Sequence, residues 1–152
     1  MRSHITWGFV VTAALALLSS CRATRTPHQN GTSSARVHYL EIVCRDVAAQ
    51  CAALEKVHGL SFGPPVADLG QARVAVTPHG CRIGVRAPLA AHEEPITRTY
   101  LEVEDIARAV RDAEAAGAVI AYPPTRQGDT GTWAIYALGD AQLGLRQGNL
   151  PR

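Results

Sequence analysis

An internal repeat constrains the fold of this chain more than any other feature of its sequence. Two segments carry the same order of landmarks: a strand-like Tyr-Leu-Glu, an aspartate, a helical run, a glycine and a Pro-Pro pair. The landmarks are Tyr39-Leu40-Glu41-Ile42, Asp46, Gly59 and Pro64-Pro65 in the first copy, and Tyr100-Leu101-Glu102-Val103, Asp105, Gly117 and Pro123-Pro124 in the second. The aspartate precedes the prolines by the same number of residues in both copies. A repeat of this length predicts a duplicated strand–helix–strands unit.

The first 20 residues have the pattern of an export signal. Arg2 supplies a basic start, residues 5–18 form an uncharged apolar run, and two small residues follow. The run is shorter than the roughly 20 apolar residues of a membrane-spanning helix. Cys21 comes next, and the segment resembles the lipobox of bacterial lipoproteins, in which this cysteine is acylated. We therefore expect a lipid anchor at Cys21; the alternative is an ordinary secretory signal with an incidental cysteine.

Residues 21–36 are expected to form a flexible tether. They hold Thr, Ser, Asn, Gly, Gln and Pro but no large apolar side chain, so they cannot bury enough surface to offset the entropy of ordering. In such lipoproteins an aspartate directly after the lipidated cysteine often marks retention in the inner membrane. This chain has Arg22 at that position, which favours the outer membrane if the cell has one. The sequence thus predicts an exported, cell-envelope lipoprotein with a domain over residues 37–148.

The charge of this domain excludes one class of partner. The whole chain has a formal net charge of +2, but residues 37–148 hold ten Arg and Lys against thirteen Asp and Glu, a net charge of −3. Nucleic-acid-binding domains usually carry a basic patch, so we expect no nucleic-acid partner. The length suits one domain with a substantial core.

Each copy is predicted to form one helix and several strands. Alternating β-branched and aromatic residues indicate a strand over residues 37–43. Asp46 and Asp105 suit the N-caps of helices over residues 47–58 and 106–116, and Gly59 suits the end of the first helix. The other predicted strands cover residues 66–69, 72–77, 81–86, 97–103, 119–121, 132–137 and 142–146, and residues 87–95 link the two units.

This order of elements resembles the vicinal oxygen chelate superfamily, which includes glyoxalase I, extradiol dioxygenases and bleomycin-binding proteins. The resemblance covers about residues 37–147 and rests on the order of segments 41–46, 55–60, 113–118, 131–136 and 144–147. It implies an α+β fold in which tandem βαβββ modules, about residues 37–86 and 97–147, form a half-open eight-stranded cup with helices packed outside. Members of the family commonly dimerise through strands, so a homodimer is a further hypothesis.

Strand alternation predicts which side chains face the cup, because neighbours in a strand point to opposite faces. Apolar residues such as Leu40 and Ile42 should pack under the helices. Their neighbours should then line the cup: Tyr39, Glu41, Arg82, Gly84, Arg86, Arg98, Tyr100, Glu102, Gln142, Gly144 and Arg146, with Trp133 as a further apolar wall. The alternative is that these residues lie on an open, solvated sheet face.

The resemblance also implies where a metal ion would be bound. Family members with metal-dependent activity use a His or Glu from the first strand of each module and a Glu or similar ligand from the last. The corresponding residues here are Tyr39, Arg98, Gly144 and the Arg82-Gly84-Arg86 set. Arginine stays protonated, and divalent sites need His, carboxylate or thiolate ligands. His38 would reach the cup only if the strand slipped by one residue, which would turn its apolar side chains inward. We therefore expect no metal and no cofactor.

Three cysteines remain after Cys21. Cys44 shares the strand face that points at the first helix, and Cys51 lies on the inward face of that helix. Cys81 shares the parity of the apolar residues in its strand, so it should belong to the same layer. A Cys44–Cys51 disulfide and three small buried thiols both fit this pattern.

These features favour a binding function over catalysis. We expect the cup to hold a small anionic or zwitterionic molecule, oriented by Arg82, Arg98 and Arg146 and enclosed by Tyr39, Tyr100 and Trp133. One alternative is a metal-independent isomerase or hydrolase with Glu41 or Glu102 as general base. The others are metal-dependent lyase or dioxygenase chemistry, which the ligand positions disfavour, and an envelope scaffold that pairs its sheet edges with a partner.

Overall fold

A computed structural model of the chain describes residues 36–149, which form one mixed eight-stranded sheet and two α-helices. The strands are β1 (Arg36–Val43), β2 (Pro65–Val66), β3 (Ala72–Val76), β4 (Arg82–Arg86), β5 (Ile96–Glu102), β6 (Val119–Arg126), β7 (Thr132–Leu138) and β8 (Ala141–Gln147); the helices are α1 (Val47–His58) and α2 (Ile106–Ala115). The sheet does not close into a barrel, and the predicted α+β cup is confirmed. The predicted signal peptide, the lipidated Cys21 and all of the tether except Arg36 lie outside the described residues.

The strand order shows how the two modules are joined. The order across the sheet is β2-β3-β4-β1-β5-β8-β7-β6, so each module contributes four contiguous strands. Within each module the first and last strands are parallel, whereas β1 and β5 pair antiparallel at the centre. This pairing places Tyr39 opposite Tyr100 and relates the modules by an approximate twofold axis between the two tyrosines.

Each helix packs on the convex face of its own module. The Asp46 carboxylate accepts a hydrogen bond from the backbone N–H of Ala49, and Asp105 accepts one from Arg108, as expected for N-caps. Gly59 ends α1 in the left-handed conformation (φ 63°), which glycine adopts without steric cost. Two apolar clusters join the helices to the sheet: Cys51 of α1 packs with Phe62, Ala75 and Val85, and Ile106 and Val110 of α2 pack with Ala134, Tyr136 and Leu145.

Two predicted strands differ from the structure. Only Pro65–Val66 pairs with β3, and the rest of the first predicted segment, Ala67–Leu69, is a turn of 3-10 helix. Strand β6 continues to Arg126, well past the predicted end at residue 121. Its pairing with β7 is irregular around Pro123 and Pro124, which cannot donate to a ladder and are tolerated because β6 is an edge strand.

Neither helix within residues 36–149 is long and apolar enough to cross a membrane.

Candidate functional site: an aromatic and charged cup

Three aromatic side chains form the floor of the cup. Tyr39 on β1, Tyr100 on β5 and Trp133 on β7 are all buried and pack edge to face. The ring centroids are 5.7 Å apart for the two tyrosines, 5.4 Å for Tyr39 and Trp133, and 5.1 Å for Tyr100 and Trp133. This geometry is favourable for aromatic quadrupoles. The indole N–H donates to the hydroxyl of Thr130 (3.1 Å), which leaves a floor with few rotational alternatives.

Two glycines make room for this floor. A methyl group at Gly84 on β4 would overlap the hydroxyl of Tyr39, and one at Gly144 on β8 would overlap the ring of Tyr100. In both modules, therefore, a tyrosine from the first strand covers a glycine on the last strand. The family resemblance implies a metal ligand at the position of Gly144, and Gly84 belongs to the Arg82-Gly84-Arg86 set at the corresponding place in the first module.

The donor groups at the expected metal positions do not fit a metal ion. Burial raises the pKa of Tyr39 well above its usual value of 10, so its phenol stays protonated. Arg98 is a cation already paired with a carboxylate, Arg82 and Arg86 are cations as well, and Gly84 and Gly144 have no side-chain donor atom. Within residues 36–149, no three His, Cys, Asp or Glu side chains are grouped so that they could hold a metal ion.

Glu41 is the centre of a buried ionic network on the same face. Its Oε1 accepts a hydrogen bond from Arg86 Nε (2.7 Å), and its Oε2 accepts from Arg98 Nη1 and from the Tyr100 hydroxyl (3.2 Å). Arg98 also donates to Gln142 Oε1 (3.0 Å). All three charged side chains are about 5–6% exposed, and residues 41, 86 and 98 come from three adjacent strands. Both oxygens of Glu41 therefore already accept hydrogen bonds from the network.

A fourth charge comes from the segment between the modules. We call residues 87–95 the strap. Glu93 in the strap binds Arg86 through both carboxylate oxygens. Arg86 Nη1 donates to Oε2 (2.8 Å), and Arg86 Nη2 donates to Oε1 (2.7 Å). Oε2 also accepts from the backbone N–H of Leu89 (2.7 Å). These hydrogen bonds, chiefly that from Arg86, lower the pKa of Glu93 to about 2.

The aromatic floor, the ionic network and the strap enclose a cavity of about 250 Å³. This is slightly below the range of roughly 300–1,000 Å³ typical of ligand pockets, so the cavity suits a small molecule. Its lining is Tyr39, Glu41, Asp68, Leu69, Gly70, Arg86, Leu89, Glu93, Tyr100, Tyr122, Gln127, Trp133 and Ile135.

Four of the predicted site residues do not line this cavity. Arg98 lies behind Glu41, and Arg82 is exposed. Glu102 and Arg146 form their own ion pair (2.6 Å), and Arg146 also donates to the carbonyl of Thr130. The two carboxylates proposed as general bases are therefore in separate environments, Glu41 at the cavity and Glu102 away from it.

A β-bulge brings His38 to the cup face. The β1–β5 register shifts between Val37 and Tyr39, which leaves His38 without a partner residue in β5. Its ring centroid lies 6.4 Å from that of Trp133, and its Nδ1 lies 3.8 Å from Glu102 Oε1. Burial and the nearby Arg146 lower the pKa of His38, which favours the neutral imidazole. The expectation that His38 could reach this face only by a slip of the whole strand was wrong, because a bulge rotates one residue and leaves Ile42 under α1.

The cysteines are all thiols within residues 36–149. Cys51 is buried on the inward face of α1 with Cys44 packed against the same cluster, and burial raises the pKa of both thiols. Of the two alternatives, the structure has the buried thiols rather than a Cys44–Cys51 disulfide. Cys81 differs from the prediction: it precedes β4, is only half-buried and is not part of the cluster under α1.

Several residues that line the cavity were not predicted from the sequence. Glu93 and Leu89 lie in a segment treated only as a linker, Asp68 and Leu69 in a segment predicted as a strand, and Tyr122 beyond the predicted end of its strand. Arg86 was placed in the cup by alternation but not among the ligand-binding residues. The available signal was the pair of carboxylates, Glu93 and Glu94, after the small and apolar residues 87–91.

Comparison with solved structures supports the fold assignment. Methylmalonyl-CoA epimerase from Mycobacterium tuberculosis matches with a TM-score of 0.61 and 15% identity, over 81% of this chain and 95% of that one. A Streptomyces coelicolor methylmalonyl-CoA epimerase variant in complex with 2-nitronate-propionyl-CoA matches with a TM-score of 0.54 and 17% identity, over 76% and 99%. A glyoxalase/bleomycin resistance protein/dioxygenase superfamily member from Vibrio splendidus 12B01 matches with a TM-score of 0.55 and 16% identity, over 74% and 98%.

The chain therefore has the vicinal oxygen chelate fold. No protein-family model matches it, and no curated protein matches it. At these identities the likeness concerns the fold and not the activity.

Proposed function

We propose that this domain is a small-molecule-binding module that holds its ligand in the cup without a metal ion. The observation that supports this function is the cavity of about 250 Å³ over the floor of Tyr39, Tyr100 and Trp133. A preformed concave site with aromatic walls and a few fixed polar groups is the usual form of a ligand pocket. Two structural neighbours, both methylmalonyl-CoA epimerases, are complexes with 2-nitronate-propionyl-CoA and with methylmalonyl-CoA, so proteins of this fold can bind small-molecule ligands.

We further propose that the module is held at the cell envelope through a lipid on Cys21. The support is the order of basic start, apolar run, small residues and cysteine at the beginning of the chain. A tethered binding domain would capture or sequester its ligand close to the membrane.

Catalysis by the predicted carboxylates is the weaker hypothesis. Both oxygens of Glu41 accept hydrogen bonds from cationic or phenolic donors, and Glu102 is paired with Arg146 outside the cavity. A general base must lie within hydrogen-bond reach of its substrate, and Glu102 does not line the cavity, while Glu41 is held by two arginines.

The test is a thermal-shift screen of small acids, amines and neutral aromatic compounds on the purified full chain. Gln127 lines the cavity from a loop, so Gln127→Trp should fill it and abolish the shifts. Its exposed neighbour Arg126 provides the matched control, because Arg126→Trp adds the same side chain away from the cavity. Equal shifts in both variants, or no shift with any compound, would contradict the proposal. Stoichiometric bound zinc, manganese or iron would contradict its metal-free form.

A further inference from the structure

The strap is attached to the cup chiefly through one side chain. All residues of the strap are exposed except Pro88 and Glu93, which are half-buried. Its other ion pair, Arg45–Glu94 (3.7 Å), joins two side chains that are about 80% exposed, and such pairs contribute only ~0–1 kcal/mol. The bidentate Glu93–Arg86 contact therefore determines whether the strap stays closed over the cavity.

The charges beneath the strap require an anion at this place. Arg86 and Arg98 are buried and carry two positive charges, whereas Glu41 supplies one negative charge between them. Glu93 completes the balance. If Glu93 left without replacement, a buried net positive charge would remain, and uncompensated buried charge is strongly unfavourable. Only another anion can take its place at low cost.

The geometry of Arg86 specifies the kind of anion. Its Nε is fixed by Glu41, and Nη1 and Nη2 both donate to the one carboxylate of Glu93, while Nη1 also donates to the carbonyl oxygen of Ala87 (3.0 Å). A guanidinium fork of this kind matches the two oxygens of a carboxylate. The aromatic floor lies beside it in the same cavity, so a carboxylate joined to a flat apolar group would contact both.

We infer that Glu93 occupies the place of a ligand carboxylate, and that a small aromatic carboxylic acid binds Arg86 by displacing Glu93 and opening the strap. This inference rests on the proposed binding function and narrows its ligand class. It moves the anion-recognising role from Arg82, Arg98 and Arg146 to Arg86. The competing occupant is an amine, which the carboxylates of Glu41, Asp68 and Glu93 around the cavity would attract.

The experiment compares three benzene derivatives of similar size by titration calorimetry on the full chain: benzoate, its neutral planar isostere benzamide, and the cation benzylamine. Glu93→Gln removes the competing carboxylate and should tighten benzoate binding by about tenfold. The reason is that no carboxylate then has to leave Arg86 before the strap can open and benzoate can bind. Benzamide binding should change by less than about twofold, since no charge is exchanged. Glu94→Gln is the matched control in the same strap and should leave benzoate binding unchanged.

A second measurement uses the wild-type chain alone. The Leu89 amide donates to Glu93 in the closed strap, so saturating benzoate should accelerate hydrogen exchange at Leu89, and benzamide should not. Unchanged benzoate affinity in Glu93→Gln, or benzylamine binding that Glu93→Gln weakens, would overturn the inference. If benzamide binds in the cavity but benzoate gains nothing, the binding function stands and the displacement fails. If none of the probes and no compound of the screen binds, both fail.

Discussion

Tyr39 and Tyr100 lie directly opposite each other on β1 and β5, with ring centroids 5.7 Å apart. The two strands run antiparallel, so the residues that follow the tyrosines diverge. Glu41 comes to lie opposite Arg98, whereas Glu102 lies opposite Arg36, at the other side of the tyrosine pair. Residues that are equivalent in the repeat, such as Glu41 and Glu102, therefore have different surroundings.

Glu41 and Glu102 should differ sharply in their contribution to stability. Glu41→Gln leaves Arg86 and Arg98 buried without their shared carboxylate, which should cost ~3–5 kcal/mol of unfolding free energy. Glu102 is about 35% exposed, so Glu102→Gln should cost about 1 kcal/mol or less. Urea unfolding at neutral pH measures both. Equal losses of unfolding free energy in the two variants would contradict a buried ionic network around Glu41.

Gly84 and Gly144 should not tolerate alanine. The added methyl group would meet Tyr39 or Tyr100, so each substitution should destabilise the fold by ~1–3 kcal/mol through overpacking. Gly63 is a suitable control, because its φ is not positive and a methyl group there would have only an ordinary contact, 3.7 Å from the Val74 carbonyl oxygen. Thermal unfolding of the three variants should separate the first two from the third. A silent Gly84→Ala would mean that Tyr39 can leave the floor without loss.

Acid should weaken the attachment of the strap. Arg86 holds the pKa of Glu93 at about 2, below the ordinary value of 4.5. Because the unfolded chain binds this proton more readily, the stabilisation by Glu93 is present above pH 4.5 and is lost as the pH falls towards 2. Between pH 4.5 and pH 2, the urea concentration at the midpoint of unfolding should therefore fall less in Glu93→Gln than in the wild type. In Glu94→Gln it should fall as much as in the wild type. Parallel curves for all three proteins would contradict the ion pair.

The described cysteines should remain thiols under oxidising conditions. Cys51 is 1% exposed, and burial raises the pKa of both Cys51 and Cys44, so neither forms a thiolate readily. Mass spectrometry of the intact protein with and without reductant should give the same mass, and alkylation should require denaturation at Cys51. A mass gain on reduction would reinstate the Cys44–Cys51 disulfide.

Cys21 should carry the membrane anchor. Cells that express the chain in the presence of labelled palmitate should yield a labelled protein in the membrane fraction, and Cys21→Ala should abolish both the label and the membrane association. Cys81→Ala is the matched control and should behave as the wild type. Unlabelled protein that is still exported would indicate an ordinary secretory signal.

The sequence by itself determined the two modules, their helix caps and the alternation of faces. These properties are local: a period of two along a strand, an aspartate before a helix, and a repeated order of landmarks. They placed Tyr39, Glu41, Arg86, Arg98 and Tyr100 on one face, and the structure has them there. The family resemblance, together with the spacing to the helix-capping aspartates, placed Tyr39 and Arg98 at the expected metal positions.

Only the tertiary structure decided which of these groups meet. The antiparallel pairing of β1 with β5 joined Glu41 to Arg98 and separated it from Glu102, a bulge turned His38, and the strap brought Glu93 onto Arg86. Glu41 and Arg98 are 57 residues apart in the chain, and no local pattern encodes their contact. The physical reason is that periodicity fixes the direction of a side chain, whereas its partners depend on strand register, bulges and loop paths, which the packing of the whole domain selects.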